Sequence, residues 1–155
     1  MLKNWNVDEK YFKEFTEIPL HKFFIEPLKN GVNYSKEQMG KGVSIVNIKD
    51  LYTSQFVDIS NLEKVDISDK EIENNQLTFG DLLFVRSSVK KEGVGCSAVF
   101  PNSDDKVVFS GFIIRARLKE DILPEYVNLF LKTEKARNQM LKDLEPVGIS
   151  NINQQ

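Results

Sequence analysis

Four short apolar runs, residues 82–85, 95–100, 107–109 and 112–118, follow one another with little more than turns between them. Runs this short, rich in valine, isoleucine and phenylalanine, suit strands and are too brief for ordinary helices. The intervening residues have turn chemistry: Gly93-Val94-Gly95 offers backbone freedom, and Pro101-Asn102-Ser103-Asp104-Asp105 offers side chains that bond to nearby backbone. The last run alternates. Ile114, Ala116 and Leu118 point one way and Ile113, Arg115 and Arg117 the other, which predicts one face toward the core and one face carrying two arginines. The four runs are expected to share one sheet.

Upstream, residues 43–48 (VSIVNI) and 62–67 read as further strands, with a helical turn at 49–52. Ser68 with Glu71 three residues later has the capping-box spacing and predicts a short helix through Glu73. Residues 1–17 form an N-terminal extension whose 8–15 stretch reads as an amphipathic helix, and Pro19 and Pro27 bracket an apolar piece. The stretch from Lys29 to Gly42 is polar and glycine-containing and reads as a long exposed loop, the kind that carries function in a compact domain. Pro124 opens the clearest helical pattern, with Val127, Phe130, Leu131, Met140, Leu141 and Leu144 at helical spacing around a polar gap at 133–137 and with Pro146 and Gly148 beyond. These elements predict one domain over residues 1–155 with an α+β (mixed α/β) fold. Its twisted, largely antiparallel sheet carries polar loops and is closed by a long C-terminal helix over 124–144.

A chain of 155 residues can bury about 70% of its unfolded surface, and 41% hydrophobic residues with 11 phenylalanines supply the core. Cys96 alone cannot form an internal disulfide, and with His21 as its only companion it makes no zinc set, so neither metal nor cofactor is expected. Catalytic patterns are equally thin. Gly93-Val94-Gly95 lacks the third glycine and following helix of a dinucleotide site, His21 has no marked nucleophile or carboxylate, and Cys96 lies in an apolar strand. Asp8-Glu9-Lys10 and Asp104-Asp105-Lys106 have the acid-any-lysine spacing of metal-dependent nucleases, but no upstream acid on a paired strand accompanies them. No catalytic residue is therefore expected. Charges throughout the first fifteen residues speak against a signal peptide, and no apolar run approaches the ~18 residues that cross a bilayer, so a cytoplasmic protein without a membrane partner is expected.

The net charge is −2, unevenly spread. Residues 58–81 hold seven acids against Lys64 and Lys70, a local −5, whereas residues 86–119 reach a local +4. A basic face on an acidic protein follows. Arg86, Ser87, Ser88, Lys90 and Lys91 bring guanidinium, hydroxyl and ammonium donors suited to phosphates and to guanine. Asn30, Asn33, Tyr34, Ser35 and Lys36 add amides suited to adenine and a ring able to stack or wedge, and Arg115 and Arg117 extend the basic set. DNA binding is one expectation. A module in which the 124–144 helix and the acidic 58–81 segment dock a protein is the other.

The motif order KNGVNYSKEQMGKGVSIVNIKDLY, LTFGDLLFVRSSVKKEGVGCSAVF, FSGFIIRARLKEDILPEYVNLFLKTEKARNQM and VGISNIN, covering roughly residues 18–153, resembles the target recognition domain of type I restriction-modification specificity subunits. The resemblance implies a non-catalytic module that reads one half of a split double-stranded DNA target. In the full-length context, methyltransferase and restriction subunits would be its partners. It further implies that Lys29 to Lys36 and the hairpin face a groove, with Gly31, Gly80, Gly93 and Gly95 shaping the backbone. Two departures stand out. The chain ends where that family continues into conserved helices, as an excised domain or shortened gene product would, and Cys96 stands where relatives often carry a basic residue. The recognition part of a single-chain restriction-methyltransferase enzyme would have the same mechanism in a different parent protein.

Overall fold

The computed structural model describes residues 18–52, 55–88, 93–141 and 150–151. The elements expected at 8–15 and beyond 141, with Leu144, Pro146 and Gly148, lie outside the described residues, as do Lys90 and Lys91.

The expected α+β class holds. In chain order come β1 (Lys29–Asn30), β2 (Met39–Val46), β3 (Glu63–Val65), α1 (Asp69–Asn75), β4 (Leu82–Val85), β5 (Ser87–Ser88), β6 (Ser97–Val99), β7 (Val107–Phe109), β8 (Ile113–Ala116), α2 (Pro124–Leu131), α3 (Glu134–Leu141) and β9 (Ser150–Asn151). One sheet has the order β1-β8-β4-β6, a second β3-β2-β7, and β5 pairs with β9. Among the named strands of the described residues the pairings are antiparallel except β2 with β7, which run parallel with Ile45 opposite Val108. The four C-terminal runs therefore divide between two sheets instead of sharing one.

Both faces of the first sheet are covered, so alternate residues of its strands enter different cores. Leu83, Val85, Ala98 and Ile113 pack with Val46, Leu51 and Phe109 on one side. Leu82, Phe84, Val99, Ile114 and Ala116 pack with Val127 and Leu131 of α2 on the other. This is why all of β8, Arg115 included, is buried. The alternation in the sequence was real, but its second face meets protein instead of water.

The polar stretch expected as a loop at 29–42 is partly strand. Val65 of β3 faces both Met39 and Val43 across a bulge, and Gly40 and Gly42 take the positive φ values (93° and 89°) that absorb the extra residues. At Gly42 a Cβ would also stand 2.3 Å from the Val65 carbonyl oxygen. Ser68 caps α1 as expected, accepting a bond from the Glu71 amide while Glu71 accepts from the Ser68 amide.

The single long helix expected over 124–144 is instead two short ones. Thr133 ends α2, where its hydroxyl and amide both donate to the Phe130 carbonyl, and starts α3, where its Oγ1 accepts from the Ala136 amide. Helix α2 lies against β6 through a buried pair in which the Ser97 hydroxyl donates to Asn128 Oδ1 at 2.7 Å. Helix α3 reaches the glycine turn before β6, with Arg137 Nη1 donating to the Val94 carbonyl.

Candidate nucleic-acid interface

The tight turn from β7 to β8, Ser110-Gly111-Phe112, is held from three directions. The Ser110 amide donates to Val46 of β2. The Gly111 amide donates to the Val32 carbonyl at 2.7 Å, while the Val32 amide donates to Phe109. From the end of β4, the Arg86 amide donates to the Phe112 carbonyl at 2.8 Å and its Nη1 to the Gly111 carbonyl at 3.3 Å. Residues 31–33, Arg86 and the turn thus meet although they are far apart in sequence.

Two glycines allow that approach. A Cβ on Gly31 would stand 2.0 Å from the Phe109 carbonyl oxygen, and one on Gly111 would stand 2.2 Å from Asn33 Oδ1. The Asn33 side chain, exposed, therefore lies flush against the turn. Just past Arg86, Ser87 and Ser88 form β5 against β9. Gly93 closes onto this strand: a Cβ there would stand 2.5 Å from Ser88 Oγ and 2.8 Å from the Tyr52 hydroxyl. Gly95, with φ of 69°, directs the chain back toward β6.

The other residues of the 29–36 segment diverge. The Lys29 ammonium donates to the Asn74 carbonyl, and burial, helped by the nearby Arg115, lowers its pKa. Asn30 is exposed opposite Ile114. The half-buried Tyr34 hydroxyl donates to Asn47 Oδ1 at 2.8 Å, and burial raises its pKa. The Ser35 amide donates to Gln38 Oε1, which starts a single 3-10 turn carrying the exposed Lys36. Tyr34 to Lys36 thus lie toward β2 and β3, while Asn33 lies toward Arg86.

Arg115 and Arg117 are not on an open basic face. Arg115, 4% exposed, pairs with Glu26 at 2.6 Å, donates to the Gln76 carbonyl and lies over the Phe109 ring. Burial, reinforced by Arg117, lowers its pKa. Arg117 grips the wholly buried Asp81 carboxylate through Nε (2.7 Å) and Nη2 (2.8 Å), a bond that raises its pKa, and also approaches Glu26. Gly80, at φ 85°, shapes the turn that delivers Asp81, whose carboxylate also accepts the Thr78 amide. The physical reason is position: Arg115 sits on the sheet face covered by neighbouring elements and Arg117 just past the end of β8, and each is paired with a carboxylate, so their charge is neutralised within the fold.

Two aromatic side chains at this surface were not among the expected contacts. Phe112 is 60% exposed in the turn, and Tyr52 is 53% exposed beside Ser88 and Gly93. Phe112 shares the parity of Ile114 and Ala116 and so reads as a core residue when the strand is begun at 112. The strand starts at Ile113, one residue later. Among the described residues no group of three His, Cys, Asp or Glu side chains could hold a metal ion, and no helix is long and apolar enough to cross a membrane.

No protein-family model matches the chain. Among curated proteins it is similar to the type I restriction enzyme EcoKI specificity subunit of Escherichia coli (strain K12), with 29% identity over 142 residues. The match covers 91% of this chain and 30% of that protein, so the chain spans under a third of the length of the curated relative it matches. The resemblance carried by the order of its motifs is thereby matched by an alignment across nearly the whole sequence, and the chain is similar to part of a type I restriction enzyme specificity subunit.

Proposed function

We propose that this chain is a target recognition domain that binds double-stranded DNA sequence-specifically and performs no chemistry of its own, lending specificity to a restriction-modification complex. The meeting of Asn33, Arg86 and the 110–112 turn at one surface carries this reading, because an amide and a guanidinium set on rigid backbone are suited to base edges. Ser87, Ser88, Lys90 and Lys91 follow Arg86 directly in sequence and supply donors for phosphates. Asn30, Tyr34, Ser35 and Lys36 belong to the periphery of the proposed reader. Lys29, Arg115 and Arg117 do not belong to it, since the fold already uses their charges.

The test is a fluorescence-anisotropy titration of the chain with labelled duplex at several salt concentrations. Neutralising three or four phosphates gives a log-log slope of about −3 to −4. Replacing Arg86, Lys90 and Lys91 together by glutamate should abolish binding while the circular dichroism spectrum stays unchanged. A flat salt response, or undiminished binding by the triple variant, rejects the proposal.

Helix α2 favours a second surface. Val127 and Leu131 face the core, yet Leu123, Tyr126, Leu129 and Phe130 are exposed around it, and a helix apolar on both sides is ordinarily covered. In the full-length context the proposed partners are methyltransferase and restriction subunits, or the remainder of a single-chain enzyme. Substitution of Tyr126 and Phe130 by serine should weaken such an association and leave duplex binding intact.

A further inference from the structure

Resting on the DNA-binding reading above, we infer that Asn33 and Phe112 together read one A·T base pair in the major groove, the Asn33 amide pairing with the adenine and the Phe112 ring covering the 5-methyl group of its thymine. A single exposed phenylalanine is unremarkable on most surfaces. This one differs in how it is held. The Gly111 amide, the Phe112 carbonyl and the Ile113 amide are all engaged, by Val32, Arg86 and Ser110, so the backbone that carries the ring is fixed on both sides. The ring is 60% exposed on that fixed turn instead of folding into either core.

Its neighbours set the chemistry. The Asn33 carboxamide lies so close to Gly111 that no Cβ fits between them, which places an amide next to the residue carrying the apolar ring. Asparagine reads adenine by donating to N7 and accepting from N6, and across the major groove the same base pair presents the thymine methyl beyond O4. An amide flanked by an apolar ring is therefore the complement of A·T, while Arg86, with one of its five N–H donors spent on Gly111, suits a neighbouring guanine. The absence of a side chain at Gly111 is what lets the Asn33 amide lie against the turn that carries the ring.

The experiment starts from duplexes with ten randomised base pairs, enriched by binding to this chain. Each thymine of the selected duplex is then replaced in turn by uracil, which removes only the methyl group. At one position uracil should weaken binding about fourfold, the worth of one buried methyl group. Phe112→Ala should bind thymine and uracil duplexes equally, Phe112→Leu should retain most of the penalty, and Asn33→Ala should lose its preference at that same pair. A selected site without an A·T pair, or uracil without effect at every position, or a Phe112→Ala protein that still distinguishes the two bases, overturns the inference while leaving DNA reading in place. Failure to enrich any sequence overturns both.

Discussion

Asp81→Ala tests how the fold handles its buried charges. The carboxylate is wholly buried and accepts two charge-assisted bonds from Arg117 and one from the Thr78 amide. Alanine leaves the Arg117 guanidinium beside Arg115, with only the Glu26 carboxylate between them. Removing one member of a buried pair costs about 3–5 kcal/mol, most of it the penalty of an uncompensated charge. Arg117 retains 26% side-chain exposure, so water recovers part of that, which puts the expected loss near 3 kcal/mol. In a domain of this length that corresponds to a melting temperature lower by about 6–12 °C. Urea unfolding followed by circular dichroism should show a lower midpoint at an unchanged slope. The double variant Asp81→Leu with Arg117→Met removes both charges and should recover most of the loss. A single-variant cost below about 1 kcal/mol, or a double variant no better than Asp81→Ala, would refute the claim that the orphaned guanidinium sets the energy.

Other perturbations probe the turn and the edges of the core. Gly31→Ala drives a methyl group onto the Phe109 and Ser110 carbonyls, so thermal melts should show a loss of roughly 2–3 kcal/mol together with weakened duplex binding. Gly40→Ala meets no atom within 4 Å and suffers only from its φ of 93°, so about 1 kcal/mol and unchanged binding are expected. Asp50 is 8% exposed, and burial raises its pKa. A raised carboxyl favours folding below its unfolded value and loses that contribution as pH rises through its folded value. Asp50→Asn, which can still accept the Asn47 amide, should therefore melt higher than the parent at pH 7, with the gap closing as the medium is acidified; a gap that widens on acidification contradicts this sign.

Local pattern decided much of the architecture before any long-range contact is considered. The runs at 82–85 and 107–109 are strands to the residue, Ser68 caps a helix with Glu71, and Pro124 stands at the first turn of another. The cap and the helix start rest on residues a few positions apart, and the two strands are marked by short apolar β-branched runs, although their pairing partners are distant. The similarity of this chain to a specificity subunit was also legible, because it lies in the order of short motifs.

Partnership between distant elements is another matter, and there only the tertiary structure decides. Whether the second face of β8 meets water or protein depends on where β2 and β7 lie, and it turned Arg115 and Arg117 from an apparent binding stripe into a carboxylate-paired, partly buried network. Thr133 could either continue a helix or cap one, and the two hydrogen bonds of its side chain resolve this into separate helices. The meeting of Asn33, Arg86 and Phe112 requires the approach of three segments through Gly31 and Gly111, an arrangement with no local signature because strand pairing across long chain separations is set by burial of the whole sheet and not by the residues at its rim.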